Sequence, residues 1–364
     1  MTDLSRTEAY DYRLDPERIA RYPAARRDGS RLLAFRRGAG GEGTEGMRDL
    51  RFRDLPGLIP EGDLLVVNES RVLPLRLRGR KPTGARCEAL LIRPRGPGGF
   101  GAARRFEALV RPGSKLRPGA RIVVADDLSL LVGRSTPTGE RILRIESPRP
   151  TGELLEAYGE LPLPPYLGRG EEPVDRERYH TVYAARPGSA AAPTAGLHFT
   201  PGLLTELARR GIMLARLTLH VGPGTFRPVE KGSVDGHGMH AEPWAISPGV
   251  ARSVEAARAR GARVWAVGTT VVRALESAAL GGGLVGSGRG TTGLFIRPGY
   301  TFRVVDALIT NFHLPRSTLL MLVSAFAGYG TTMRAYRHAI AAGYRFYSYG
   351  DAMAVLPAAR AGRG

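Results

Sequence analysis

Apolar runs that each end in a polar or glycine turn constrain this chain more than any other feature. Asp63–Val67 stops at Asn68-Glu69-Ser70-Arg71, and Ile212–Leu219 delivers His220 into the turn Gly222-Pro223-Gly224-Thr225. Arg263–Val267 ends at Gly268-Thr269-Thr270, and a fourth turn of this kind, Asn311–Arg316, precedes the apolar segment Thr318–Ala327. Short, continuous apolar runs bounded by such turns read as buried strands. Helices alternate with them. Thr200 is a cap and Pro201 a first helical residue for a helix to about Arg210, which Gly211 ends. Further helices are expected over Val250–Ala259, Val271–Ala279, Thr318–Ala327 and Thr332–Ala341, with strands at Leu32–Phe35, Leu294–Ile296, Phe302–Val304 and Tyr344–Tyr349. This alternation is α/β, an architecture whose ligands sit at the carboxyl ends of strands. Asn68, His220, Thr269 and His313 all occupy that position, so one cleft holding His198, His220 and His313 is expected.

From Val72 to about Ser147 the pattern changes. Short runs such as Cys87–Ile92, Phe106–Val110 and Leu128–Val132 are separated by turn signals, and helical periodicity is absent, the signature of a small all-β module. Leu161–Tyr166 is a polyproline-like connector back to the main domain. The expected fold is therefore a mixed-sheet α/β domain, residues 1–71 and 150–356, interrupted by an inserted β-barrel over 72–149. Gly281–Gly290 reads as a flexible loop and 357–364 as a disordered tail.

Composition narrows the partners. Of 364 residues, 53 are Lys or Arg and 34 Asp or Glu, a net charge of +19 that favours a polyanion such as nucleic acid. Only Lys81, Lys115 and Lys231 are lysines, and Ala, Gly and Pro are abundant, so a GC-rich coding bias explains part of the arginine content. The single cysteine, Cys87, excludes an internal disulfide and a zinc site built from cysteines. No apolar run is long enough to span a membrane and the acidic start is not a signal peptide, which points to the cytoplasm.

Several residue groups invite chemistry. Pro193 and Gly196 fix the backbone approach to His198. His237-x-Met239-His240-x-Glu242 offers two imidazoles and a carboxylate, a weak pattern for zinc and a better one for substrate contact or acid–base work. Gly268-Thr269-Thr270 at a helix start can hold an anion or be a plain turn. Arg273 and Glu276, at i and i+3, can be a helical ion pair.

These motifs resemble those of the S-adenosylmethionine:tRNA ribosyltransferase-isomerase family of queuosine biosynthesis. The matching blocks include Tyr10–Leu14 with Ile19–Pro23, Asp63–Asn68, Ser70–Val72, Leu161–Tyr166, Ala192–Pro201, His220–Gly222 and Gly224–Val229. They continue through Met239-His240-x-Glu242, Gly268–Thr270, Val272–Glu276, Thr310–Thr318 and Tyr349–Ala352. Gly236, Gly238, Val271, Pro223, Gly293 and Arg297 depart from the family's common choices. The resemblance implies an α/β domain interrupted by a small β-barrel. It also implies transfer of the ribosyl part of S-adenosylmethionine to 7-aminomethyl-7-deazaguanine at the tRNA wobble position, giving epoxyqueuosine with release of adenine and methionine. S-adenosylmethionine would be the cosubstrate, with no metal required and a monomer expected. On this chemistry His198, His240 and His313 are candidate acids or bases, with Glu276 and Asp306 as carboxylate alternatives, and His198 is expected within reach of the ribose. Substrate contacts are expected from Asn68, Arg71, Thr194, Gly196, His220, Gly222, Thr225, Arg227, His237, Glu242, Thr269, Thr270, Arg273, Asn311 and Arg316. The arginine-rich β module is expected to grip the anticodon stem-loop phosphates. Two other readings remain at this point: an S-adenosylmethionine-dependent tRNA methyltransferase, which lacks the glycine fingerprint, and a non-catalytic RNA-binding module.

Overall fold

Three strands buried along their whole length carry the main domain. They are β3 (Leu64–Asn68), β15 (Val264–Val267) and β17 (Ala307–Asn311), and they lie side by side in parallel. Strand labels follow chain order in this computed structural model, which describes every residue except 1, 39–45, 223–231, 236–237, 280 and 359–364. The expected site residues Thr225, Arg227 and His237, and most of the expected tail, lie outside the described residues.

A strand buried on both faces needs a core on each side, and the residue alternation supplies it. Leu64, Val66, Val264, Ala266 and Leu308 enter a core covered by the helices α5 (Pro248–Ala259), α6 (Thr269–Ala278), α7 (Thr318–Ala327) and α8 (Tyr329–Ala341). Leu65, Val67, Trp265, Val267 and Ile309 face the other way, onto Phe52, Leu55 and the helix α4 (Pro201–Arg209). On one flank β3 pairs in parallel with β13 (Met213–Leu219), followed by antiparallel β14 (Glu242–Ile246) and β16 (Gly288–Thr292). On the other, β17 meets antiparallel β18 (Ala352–Leu356), then β1 (Arg31–Arg36) and β2 (Arg48–Arg51), giving a mixed sheet of nine strands.

The inserted module is a closed barrel of six antiparallel strands, β5 (Arg76–Arg80), β6 (Arg86–Arg95), β7 (Arg105–Arg111), β8 (Arg121–Ala125), β9 (Leu128–Ser135) and β10 (Arg141–Glu146). The pairing of β5 with β8, at Arg80 and Val123, closes it. Strict in–out alternation in β6 and β9 fills the interior with Ala89, Leu91, Leu130 and Val132. The chain leaves the main domain through β4 (Ser70–Val72) and returns through helix α2 (Thr151–Tyr158) and β12 (Arg186–Ser189). The parallel pairing of β4 with β12 makes the neck between the two bodies.

Three local expectations need correction. Leu294–Ile296 and Phe302–Val304 are not strands, because the Glu276 carboxylate gathers the backbone N–H groups of Arg303, Val304 and Val305 at 2.9–3.1 Å and holds that segment as a loop. Gly288–Thr292, partly within the expected flexible loop, is an edge strand instead. Gly290 lies against the Trp244 ring, where a Cβ would come within 2.8 Å. Tyr344–Tyr349 is a turn rather than a strand, since Asp351 accepts from both Arg31 N and Arg345 N at 2.8 Å and folds the segment back.

Candidate active site

Asn68 closes β3 and organises the strand ends around it. Its amide donates to Leu219 O (2.9 Å) and Thr270 Oγ1 (3.2 Å), while its Oδ1 accepts from Leu219 N and Ser70 N (both 3.1 Å). A wholly buried amide with all these bonds is a structural pin across β3, β13 and α6. It also places Ser70, whose Oγ lies 3.1 Å from His220 Nδ1. The other side of the imidazole rests on Gly188, where a Cβ would come within 2.8 Å of the ring. Burial lowers the His220 pKa, so this ring is neutral near pH 7.

From Ser189 the chain crosses the carboxyl ends of the parallel strands. Ala190 N bonds to Val221 O (2.9 Å) beside β13, Ala195 comes up to Gly268 at the end of β15, and His198 reaches Asn311 at the end of β17. Gly196 is needed for packing here, since a Cβ would sit 2.2 Å from the Tyr183 hydroxyl. His198 Nδ1 lies 2.7 Å from Ser30 Oγ, and Ser30 gives its own proton to Arg27 O (3.3 Å). The ring is thereby assigned its proton on Nδ1, with Nε2 accepting from the Asn311 amide (3.3 Å). Burial lowers its pKa to about 3. Thr194 is half-buried on this crossing; Thr269 is buried at the start of α6.

A ligand-sized space near these groups lies between the sheet and the barrel. A cavity of about 820 Å³ is walled by His220, Val221, Gly222 and Glu242 on the sheet side and by Ile92–Pro94 and Gly98–Gly101 on the barrel side. An adjoining cavity of about 370 Å³ shares Arg93, Gly222 and Glu242 and adds Met239, His240 and Glu140. Glu242 stands at the junction. It accepts from Gly222 N (2.8 Å) and forms a buried ion pair with Arg273, whose other donors reach Leu294 O (3.1 Å) and Thr292 O (3.3 Å). Arg273 therefore pairs with Glu242 and not with Glu276, correcting the helical-pair expectation.

The structure brings His220, Gly222, His240 and Glu242 to these cavities. It does not bring the three expected histidines into one. His198 borders a separate small pocket with Ser30, Ser348 and Tyr349. His313 is buried, its Nε2 2.9 Å from Thr310 Oγ1 and its backbone tied to Tyr336 and Tyr12, and burial lowers its pKa to about 3. Glu276 anchors the 303–305 loop and also accepts from the Tyr300 hydroxyl. Asp306 precedes β17 and accepts from Val264 N (2.9 Å), which puts it at the amino ends of the strands, roughly 15 Å from Asn311. Arg316 pairs with Asp11 and Arg71 is exposed on the neck strand β4. Sequence reasoning missed Ser70 as the partner of His220, Ser30 as the partner of His198, and Glu156 on the cavity wall. None has a spacing signal, because each contact joins segments distant in the chain.

This architecture and these blocks match known proteins over nearly the whole chain. The family model described as "Queuosine biosynthesis protein" matches residues 7–355. A Thermus thermophilus protein named S-adenosylmethionine:tRNA ribosyltransferase-isomerase is 54% identical over 96% of this chain and 99% of its own length. This chain is a member of the S-adenosylmethionine:tRNA ribosyltransferase-isomerase family. A Moorella thermoacetica relative of the same name is 51% identical over 96% of this chain and all of its own. The crystal structure of the S-adenosylmethionine tRNA ribosyltransferase of Thermotoga maritima is 37% identical, covers 96% of this chain and all of its own, and superposes with a TM-score of 0.53. The chain is an enzyme of this ribosyltransferase-isomerase family. Among the described residues, no helix is long and apolar enough to cross a membrane.

Proposed function

We propose that this enzyme transfers the ribosyl part of S-adenosylmethionine to the aminomethyl group of 7-aminomethyl-7-deazaguanine at the wobble position of tRNA. The ribose is isomerised on the way to the epoxycyclopentanediol of epoxyqueuosine, and adenine and methionine leave. The observation that carries this reading is the sheet–barrel cleft in a chain so similar to the named enzymes. About 820 Å³ is within the range of small-ligand sites, and its walls are the carboxyl end of the parallel strand β13 in a mixed sheet and a basic barrel.

The sulfonium makes the C5′ hydrogens acidic. A base takes one and the N-glycosidic bond breaks, with adenine leaving as it gains a proton. The RNA amine bonds to C1′ and gives up a proton, the C5′ carbanion closes the five-carbon ring on C1′ as the C1′–O4′ bond breaks, and the freed O4′ attacks C5′, forming the epoxide and breaking the carbon–sulfur bond to expel methionine. His220 is the ring we assign to proton exchange. Its Nδ1 is engaged by Ser70, which leaves Nε2 for a ligand in the cavity, and its lowered pKa keeps a lone pair available at neutral pH. Glu156, on the cavity wall and without an ion pair among the described residues, supplies a countercharge for the sulfonium. Glu242 and Arg273 hold the Gly222 turn. His198, neutral and hydrogen-bonded on both nitrogens, is assigned to positioning Asn311.

The test is incubation with S-adenosylmethionine and RNA carrying the modified wobble base, with products separated by chromatography. Equimolar adenine and methionine are expected; S-adenosylhomocysteine without adenine would mean methyl transfer and overturn the reading. His220→Ala is expected to slow adenine release by at least about 100-fold, the usual contribution of a positioned acid or base. Undiminished single-turnover rates would remove His220 from that role.

A further inference from the structure

The barrel face that walls the cleft continues beyond it. Along β6 the outward side chains are Arg86, Glu88, Leu90 and Ile92, alternating with buried Cys87, Ala89 and Leu91. Ile92 lines the larger cleft cavity, whereas Arg86 and Glu88 line a second depression of about 960 Å³ on the barrel alone. Six residues of strand separate Arg86 from Ile92, so the two spaces lie roughly 20 Å apart on one face of one strand.

Four arginines outnumber two carboxylates, Glu88 and Asp126, on the wall of this depression. Arg78 and Arg80 enter it from β5 and Arg111 from the end of β7. Arg80 stands directly opposite Arg86 across the β5–β6 ladder, an arrangement that destabilises a sheet unless something else compensates the two charges. Among the described residues, no carboxylate lies within 4.0 Å of the Arg80, Arg86 or Arg111 guanidinium, while Arg78 is paired with Glu160 and Glu88 with Arg76. The fold itself leaves those three cations unneutralised.

We infer that this groove binds the sugar–phosphate backbone of the same RNA whose modified nucleotide enters the cleft, holding phosphates roughly 20 Å from the reacting base. The inference rests on the proposed function for the presence of that RNA. The occupant follows from geometry and charge: an RNA with one nucleotide in the cleft must continue away from it, and the continuous strand face leads to arginines without carboxylate partners among the described residues. Phosphates there would neutralise charges that the barrel does not.

The test pairs the double variant Arg86→Ala/Arg111→Ala with a control, Arg53→Ala/Arg252→Ala. The control removes equal charge from exposed, unpaired sites on the main domain. RNA binding is read by fluorescence anisotropy across a salt series, and adenine release separately by chromatography. The groove variant is expected to weaken RNA binding at least about 10-fold at moderate salt. The slope of log affinity against log salt should fall by about 1.4, two phosphate contacts at ~0.7 each. Its adenine-release rate at saturating RNA should match the wild type, and its melting temperature should be no lower, since the Arg80–Arg86 repulsion is removed. Affinity and slope equal to the wild type would overturn the groove, as would equal weakening in the control. If every protein binds RNA as expected but none releases adenine, the proposed reaction fails and the groove stands.

Discussion

Removing Arg273 should destabilise this protein more than any single surface arginine, and the structure sets the size of the effect. Its side chain is 3% exposed and that of its partner Glu242 5%. In Arg273→Met the carboxylate loses its buried cationic partner, and Leu294 O and Thr292 O each lose a donor. Stripping one partner from a buried ion pair typically costs 3–5 kcal/mol, because the remaining charge stays in a poorly solvated site. With an unfolding entropy of about 2.1 cal/mol/K per residue, a main domain of roughly 280 residues has ~0.6 kcal/mol/K, so about 4 kcal/mol lowers Tm by about 7 °C. The double variant Arg273→Met/Glu242→Leu removes the orphaned charge as well, and should recover about half of that loss. Differential scanning calorimetry of the wild type, Arg273→Met and the double variant measures both quantities. A single-variant shift below about 1 °C would refute the reasoning, as would a double variant no more stable than Arg273→Met.

Two further predictions address the strand-end crossing. His198 has a folded pKa of about 3 against an ordinary unfolded value near 6.5, so below pH 6.5 the unfolded chain takes up a proton that the folded ring refuses. Stability therefore falls on acidification, and the advantage of wild type over His198→Gln should shrink by about 2 kcal/mol between pH 7 and 5 in denaturant titrations; parallel curves would contradict the buried neutral ring. Gly196→Ala should cost about 1–3 kcal/mol, since the added Cβ meets the Tyr183 hydroxyl at 2.2 Å and Thr181 Cγ2 at 2.7 Å, and Tyr183→Phe, which removes a hydroxyl with no hydrogen-bond partner among the described residues, should relieve part of it. A Gly196→Ala protein as stable as the wild type would show that the loop yields freely.

The order of elements in the main domain was legible because local chemistry writes it. Thr200, Ser247 and Ser317 each cap a helix by accepting from a backbone N–H three residues on, and the runs behind β3 and β15 are apolar without interruption. The barrel was legible from short alternating strands and turn signals. Edge elements were not: β16 is polar and glycine-rich, and it is a strand only because β14 offers it a partner and Trp244 a surface.

The site divides along the same line. Sequence alone placed Asn68, His220, Thr269 and His313 at strand ends, since a strand's direction and its terminal turn are local properties. What those ends face depends on contacts between residues 150 or more positions apart, such as Ser70 with His220 and Ser30 with His198. Position along a strand is encoded residue by residue. Burial, pairing and solvent access belong to the packed whole, and for that reason only the tertiary structure separated His220, which meets the cleft, from His198 and His313, which are buried and do not line it.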